Sequence, residues 1–194
     1  MRLLLLARHG QSLFNVDGVV NGDPSRDRGL SPLGEEEARK LGAQLAGIGI
    51  DACLTSTFPR AQQTALLALG ERAGAMPTAR DGDLDDIRVG DLEGKTLADY
   101  REWKHAHERS DPFPGGESLD DAARRYADAF ERLANRPDET ILCVCHEIPV
   151  RYAVNAAAGS ENLDGPLHDV ANATPYLFDE PALRRAVARL RITP

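Results

Sequence analysis

The stretch Arg2-Leu3-Leu4-Leu5-Leu6-Ala7-Arg8-His9-Gly10 is an apolar run that stops at a cation, an imidazole and a glycine. Unbroken rather than alternating apolarity is the mark of a strand buried on both faces, as in a parallel sheet covered by helices. The chain repeats the pattern. Asp51 to Ser56 and Thr140 to Cys145 read as further strands, and Thr174 to Phe178 as a last short one. Helical segments fall between them. Ser31-Pro32, followed by Glu35, Glu36 and Glu37, combines an N-cap, a proline at the first helical position and acids facing the dipole. Ala38, Leu41, Leu45 and Ile48 give that helix one buried face, ending near Gly47 and Gly49. Pro59 to Leu69 is a second helix. Ser118 caps a third, whose stripe is Leu119, Ala122, Tyr126, Phe130 and Leu133, and Pro149 to Ala158 is a fourth with Pro149 at its first position. The alternation predicts a three-layer α/β/α sandwich around a mostly parallel sheet.

Two segments lack this patterning. Asp17 to Gly29 is a loop rich in Gly, Asp and Asn, and Gly94 to Gly116 is polar and basic, which suits an insertion over a site. Pro77 to Val89 reads as a mixed extended segment with an acidic run, Asp81, Asp83, Asp85 and Asp86. With 194 residues the chain has the length of one domain, 1–194, carrying this insertion at about 94–116.

Composition narrows the function classes. Lys and Arg number 23 against 31 Asp and Glu, a net charge of −8, so neither nucleic acid nor a membrane surface is the expected partner. The longest apolar run, Leu3 to Ala7, is too short for a membrane span or a signal-peptide core, and a cytoplasmic location is expected. Cys53, Cys143 and Cys145 are an odd number, with the last two on one strand face. They read as buried free thiols rather than a disulfide framework or a zinc pair. The sequence carries no signal for an oligomeric state.

In an α/β sandwich, side chains at the carboxyl ends of the strands converge on one crevice. Arg8 and His9 leave the first strand, Ser56 to Arg60 the second, and His146 the Thr140 to Cys145 strand. Two arginines and two histidines would meet there. Such a set suits a phosphoryl group, which needs permanently charged planar donors and helix N-termini. A neutral imidazole can attack phosphorus through one nitrogen while the other donates to a fixed acceptor, and His9 beside Gly10 is placed for it.

At these residues the chain resembles the histidine phosphatase superfamily, the phosphoglycerate-mutase-like proteins. The resemblance rests on Arg8-His9-Gly10 with Asn15, on Leu30-Ser31-Pro32-Leu33-Gly34, and on Ser56 with Arg60-Ala61 and Thr64-Ala65. Gly116-Glu117-Ser118 and His146 complete it, all in family order. It implies the phosphoglycerate-mutase-like fold and a metal-independent phosphomonoesterase acting on a small phosphorylated metabolite, with no cofactor. It also implies His9 as the nucleophile that becomes a phosphohistidine, and Arg8, Arg60, His146 and Asn15 as phosphoryl contacts. The family's proton donor, a glutamate in a Leu-x-Glu segment, falls on Asp86, with Asp85 the nearest rival.

Two departures stand out. Asp86 is one methylene shorter than glutamate and must be desolvated to stay protonated. His146 is followed by Glu147-Ile148-Pro149 where the family often has glycines. Glu147 must therefore point away from a phosphate or pair with a cation such as Arg151. His105 and His107 read as exposed polar residues of the insertion, Trp103 and Tyr100 as packing or as a wall for the leaving group, and His168 as structural. Two alternatives to a phosphatase stay open. A phosphoglycerate mutase would need further cations, for which Lys95, Arg101, Lys104 and Arg109 are available, and a non-catalytic phospho-ligand module would dispense with the acid.

Overall fold

The computed structural model describes residues 1–192. Five strands, β1 (Leu3–Arg8), β2 (Ala52–Thr55), β3 (Thr78–Arg80), β4 (Thr140–Cys145) and β5 (Pro175–Asp179), form one sheet in the order β3-β2-β4-β1-β5. Four of them are parallel, and β5 alone runs antiparallel, along β1. The expected α/β/α sandwich around a mostly parallel sheet is what forms.

The period of two along a strand divides β1 between two cores. Leu4 and Leu6, with Ile141, Cys143 and Cys145 of β4, pack against α5 (Leu119–Ala134), α6 (Glu147–Ala157) and α7 (Glu180–Ile192). Leu5 and Ala7, with Leu142 and Val144, pack against α2 (Pro32–Gln44) and α3 (Pro59–Leu69). Leu4, Leu5 and Leu6 have no exposed surface, so each contributes about 1.5–3 kcal/mol of burial. All three cysteines are free and buried.

Helix starts follow the local chemistry in most places. Ser31 accepts from Gly34 N at the head of α2, with Pro32 at the first position. Ser118 and Asp121 form a reciprocal capping box on α5. The start of α6 departs from expectation, since the helix begins at Glu147 with His146 as N-cap, and Pro149 is its third residue rather than its first. No N–H in a helix's first turn has an intrahelical partner, so proline is tolerated there too. The sequence reading also stops at Phe178, whereas the chain continues into α7, burying Leu183, Ala186, Val187 and Leu190 at helical spacing.

The segment expected to cover a site carries α4 (Leu97–Ala106), capped by Thr96 and Asp99. An aromatic stack anchors it: Trp103 lies 4.1 Å from both the His107 and Phe113 rings, and Tyr100 stacks on Phe113 at 5.4 Å. His107 thus packs against Trp103. The Asp17–Gly29 loop begins within a short helix, α1 (Leu13–Asp17), and bridges to the base of α4 through Val19 and Thr96. Among the described residues no helix is long and apolar enough to cross a membrane.

Candidate active site

The carboxyl ends of β1, β2 and β4 open into a cleft of about 380 Å³, lined at its base by Arg8, His9, Arg60 and Asp86. That lies within the roughly 300–1,000 Å³ typical of small-molecule sites. His9 stands at the end of β1. Its backbone N–H donates to Cys145 O at 2.9 Å, and its backbone carbonyl accepts from Asn172 Nδ2 at 2.7 Å. Its Nδ1 lies 2.7 Å from Gly10 O. A carbonyl only accepts, so Nδ1 carries the proton and Nε2 presents a lone pair. Gly10 is required because a Cβ there would sit 2.4 Å from Gly34 O, where the head of α2 presses on the loop.

Arg60, in the first turn of α3 and 3% exposed, ties the base of the cleft together. Its Nε donates to His9 Nε2 at 3.1 Å, and its Nη2 to His146 Nδ1 at 3.2 Å. Because His146 Nδ1 accepts, His146 Nε2 is the donor to Ser56 Oγ at 2.8 Å. The His9 and His146 rings stand 5.2 Å apart at 66°. Burial first, and then the Arg60 charge, hold both imidazoles well below their ordinary range, so both are neutral.

The two acidic candidates part company. Asp85 turns away and accepts from Thr57 N and Oγ1, both at 2.7 Å, pinning the loop after β2. Asp86 turns in, its Oδ2 3.4 Å from Arg60 Nη2 and 3.6 Å from His146 Nδ1. Burial raises Asp86 above the ordinary carboxyl range; Arg60 opposes the shift, and Glu147 adds to it. Glu117 pairs with Arg125 away from the cleft.

Arg8 lines the cleft but is partly occupied, with Nη1 donating to Val170 O at 2.8 Å and lying 3.0 Å from Glu147 Oε2. Its Nε is buried with no hydrogen-bond partner. Glu147 does pair with Arg151, at 2.9 Å, yet it does not point away: it lines the cleft beside Arg8. Asn15 lines the cleft too, but its Oδ1 accepts from Ser12 N to cap α1, leaving Nδ2 free to face a ligand. His105 and His168 line the cleft at its exposed rim, so His168 is not confined to packing. Among the described residues no three His, Cys, Asp or Glu side chains group as metal ligands.

Sequence reasoning missed two residues that orient Arg60. Asn21 Oδ1 accepts from Arg60 Nη1 at 2.5 Å, and Asp27, its side chain fully buried, accepts from Arg60 N at 2.8 Å and lies 3.3 Å from Nη1. Both belong to the unpatterned Asp17–Gly29 loop. Its crowding of Asn and Asp beside glycines was the only signal.

The model of the histidine phosphatase superfamily (branch 1) matches residues 4–192. The 2,3-bisphosphoglycerate-dependent phosphoglycerate mutase of Methylorubrum extorquens strain PA1 is 40% identical, over 91% of this chain and 89% of its own. The enzyme of the same name from Methylobacterium sp. strain 4-46 is also 40% identical, but the match spans 64% of either chain. Among solved structures, Bacillus stearothermophilus YhfR superposes with a TM-score of 0.76 at 27% identity, covering 92% of this chain and 96% of that one. The mycobacterial glucosyl-3-phosphoglycerate phosphatase gives 0.73 at 26% identity, covering 91% and 92%. With its strand-end histidines, their shared arginine and a match along nearly its whole length, this chain belongs to the histidine phosphatase superfamily.

Proposed function

We propose that this chain is a phosphomonoester hydrolase that works without a metal, through a phosphohistidine on His9, on a small phosphorylated metabolite. The observation that carries the reading is the fixed tautomer of His9, with Nδ1–H held by Gly10 O and the Nε2 lone pair turned toward the Arg60 guanidinium. A phosphoryl group seated there would exchange the Arg60–His9 contact for charge-assisted bonds from Arg60, Arg8 and His146. The buried, unpartnered Arg8 Nε is a donor available to it, and Asn15 Nδ2 is a further contact.

In the first step His9 Nε2 attacks phosphorus, the ester P–O bond breaks, and Asp86 gives its proton to the departing oxygen. In the second, water attacks the phosphohistidine, Asp86 takes a proton from that water, and the P–N bond breaks to release inorganic phosphate and restore His9. A cytoplasmic setting belongs to the same reading, supported by three buried free cysteines, one of them with its thiol pushed up to about 12 by burial.

The names of the 40%-identical relatives favour a second reading, in which the phosphoryl group returns to another hydroxyl of a phosphoglycerate. Release of inorganic phosphate, measured beside interconversion of 2- and 3-phosphoglycerate with and without a bisphosphate primer, separates the two. Phosphate release that persists in EDTA is expected. Interconversion outpacing it would overturn the hydrolase, and steady turnover of any ester removes a non-catalytic module. His9→Ala should lower turnover by at least about 10³-fold and abolish the acid-labile phosphoenzyme.

A further inference from the structure

The Arg60 guanidinium offers its N–H bonds in a fixed planar fork, and the Asp17–Gly29 loop takes those on one side. Asn21 Oδ1 accepts from Nη1 at 2.5 Å, the Asn21 backbone carbonyl accepts from Nη2 at 3.2 Å, and Asp27 Oδ1 lies 3.3 Å from Nη1. Nε and the other side of Nη2 face His9 Nε2 and His146 Nδ1, where phosphoryl oxygens would lie. The aim of the fork therefore depends on Asn21.

Asn21 is 7% exposed, and its amide could be seated either way round. Only one way turns an oxygen to the guanidinium. On the far side of the amide, Nδ2 donates to Glu93 Oε1 at 2.7 Å and to Asp23 O at 2.8 Å. Arg60 only donates, and Glu93 and Asp23 O only accept, so both sides demand the same orientation. The second oxygen of Glu93 accepts from Gly22 N at 2.7 Å. Two donors converge on Glu93, and a carboxylate can accept from both. Gly22 is itself wedged in place, since a Cβ there would lie 2.2 Å from Ile87 O, one residue after Asp86.

Glu93 also begins the segment that leads into α4. Gly94 N donates to Val20 O and Val20 N to Lys95 O, both at 2.9 Å, so the loop and this segment run as a hydrogen-bonded pair. With α1 and the start of α6, α4 walls the part of the cleft beyond the phosphoryl seat, where a departing alcohol would lie. We infer that Glu93 is a positioning residue, which aims the Arg60 fork at the transferred group by fixing the Asn21 amide and ties that fork to the segment walling the leaving-group side. The inference rests on the hydrolase reading for the place of the phosphoryl group at Arg60.

The test uses the full chain, unaltered and carrying Glu93→Gln, Asn21→Ala or both, with inorganic phosphate as the probe in calorimetry. Glutamine keeps the shape of Glu93 but offers one acceptor and one donor, so one of the two bonds is lost. Phosphate affinity should fall about fivefold to tenfold in Glu93→Gln, as for one lost hydrogen bond. In the Asn21→Ala background the same substitution should change affinity less than about twofold, because the effect passes through the Asn21 amide. Without ligand, hydrogen exchange at the Arg60 guanidinium, followed by 15N NMR, should quicken at least about fivefold in Glu93→Gln while backbone exchange in β1 is unchanged. Unchanged phosphate affinity in Glu93→Gln, or an equal loss in both backgrounds, overturns the inference. If the unaltered protein binds no phosphate, the hydrolase reading fails instead, and the Arg60 exchange rates decide whether Glu93 aims the guanidinium.

Discussion

The two halves of the cleft are built on different principles. The half proposed to hold the phosphoryl group is the more buried: His9 and His146 sit at strand ends, and Arg60 in the first turn of a helix, all 3% exposed or less. The half proposed to take the leaving group is assembled by α1, α4 and the start of α6, segments far apart in sequence; its paired charged side chains are 12–33% exposed, and Arg101 and Asp169 at the rim are exposed. A group whose charge and shape never vary can be met by fixed side chains on rigid elements, whereas the half that varies with substrate is carried on loops.

The largest way to break this contrast is to remove the charge that organises the phosphoryl half. Arg60→Ala leaves the buried Asp27 carboxylate without its cation, held only by backbone N–H groups, which should cost about 3–5 kcal/mol in denaturant unfolding and lower turnover about 10²- to 10³-fold. Lys104→Ala, in the more exposed Asp164 network, should cost no more than about 1 kcal/mol. Equal losses would mean that the two halves are equally rigid.

Next in size is Asp86, the proposed proton donor, which sits at the seam. Asp86→Asn should slow hydrolysis of alkyl phosphates by about 100-fold or more yet hurt p-nitrophenyl phosphate less, since nitrophenolate departs without a proton. A phosphoenzyme burst with the aryl ester is expected, because the same side chain is needed as base in the second step. Asp85→Asn should instead destabilise the loop after β2, through the lost Thr57 contacts, and leave that leaving-group pattern intact. Reversal of the two phenotypes would move the acid to Asp85.

How far each half could be read in advance follows from the same contrast. Arg8, His9, Arg60 and His146 each announce themselves, because a strand end or a helix start is a local pattern. Gly10 and Gly34 were legible as parts of motifs, and the structure supplies their reason, a contact too close for any Cβ. Asn21 and Asp27 were illegible as site residues, whereas Tyr100 could be named only as packing or a wall and Arg151 only as a partner for Glu147. Their roles come from long-range packing: Arg60 meets Asn21 across 39 positions, and no spacing rule encodes that. The helix α7 was missed for a different reason, since its stripe of Leu183, Ala186, Val187 and Leu190 carries a regular signal that went unassigned.

A smaller effect sharpens the electrostatic side. His9 and His146 are held neutral when folded and have folded values lowered from 6.5, so the unfolded chain binds more protons below that pH. Their contribution to stability is complete above about pH 6.5 and is lost as pH falls toward the folded values, at up to about 1.4 kcal/mol per pH unit for each. Asp86 acts in the opposite sense. Its folded value is raised from 3.8, so it costs stability as pH rises through that interval and offsets part of the acid loss. Melting temperatures from pH 7.5 down to 5 should therefore fall, and His146→Gln should flatten the slope. A slope unchanged by that substitution would contradict the buried neutral imidazole.

The smallest expected effect concerns Glu147, where the two halves touch. Its carboxylate takes Arg8 from one side and Arg151 from the other, so it attenuates a cation that the phosphoryl group would use while bracing the leaving-group wall. A phosphate arriving at Arg8 must share that guanidinium with a like charge, which weakens binding and favours the less charged monoanion. Glu147→Gln keeps the shape and a hydrogen-bond acceptor for Arg8 but removes the charge. Inorganic phosphate should then inhibit more tightly, by about fivefold for roughly 1 kcal/mol of relieved repulsion. The same carboxylate helps hold Asp86 above the ordinary carboxyl range. If Asp86 is the proton donor as proposed, neutralising Glu147 should therefore move the basic limb of the kcat/KM profile to lower pH. Tighter phosphate inhibition together with that shift places Glu147 between the halves as a brake on one and a support for the other. Weaker inhibition would mean that Glu147 serves chiefly to aim Arg8, and that orientation outweighs repulsion at this seam.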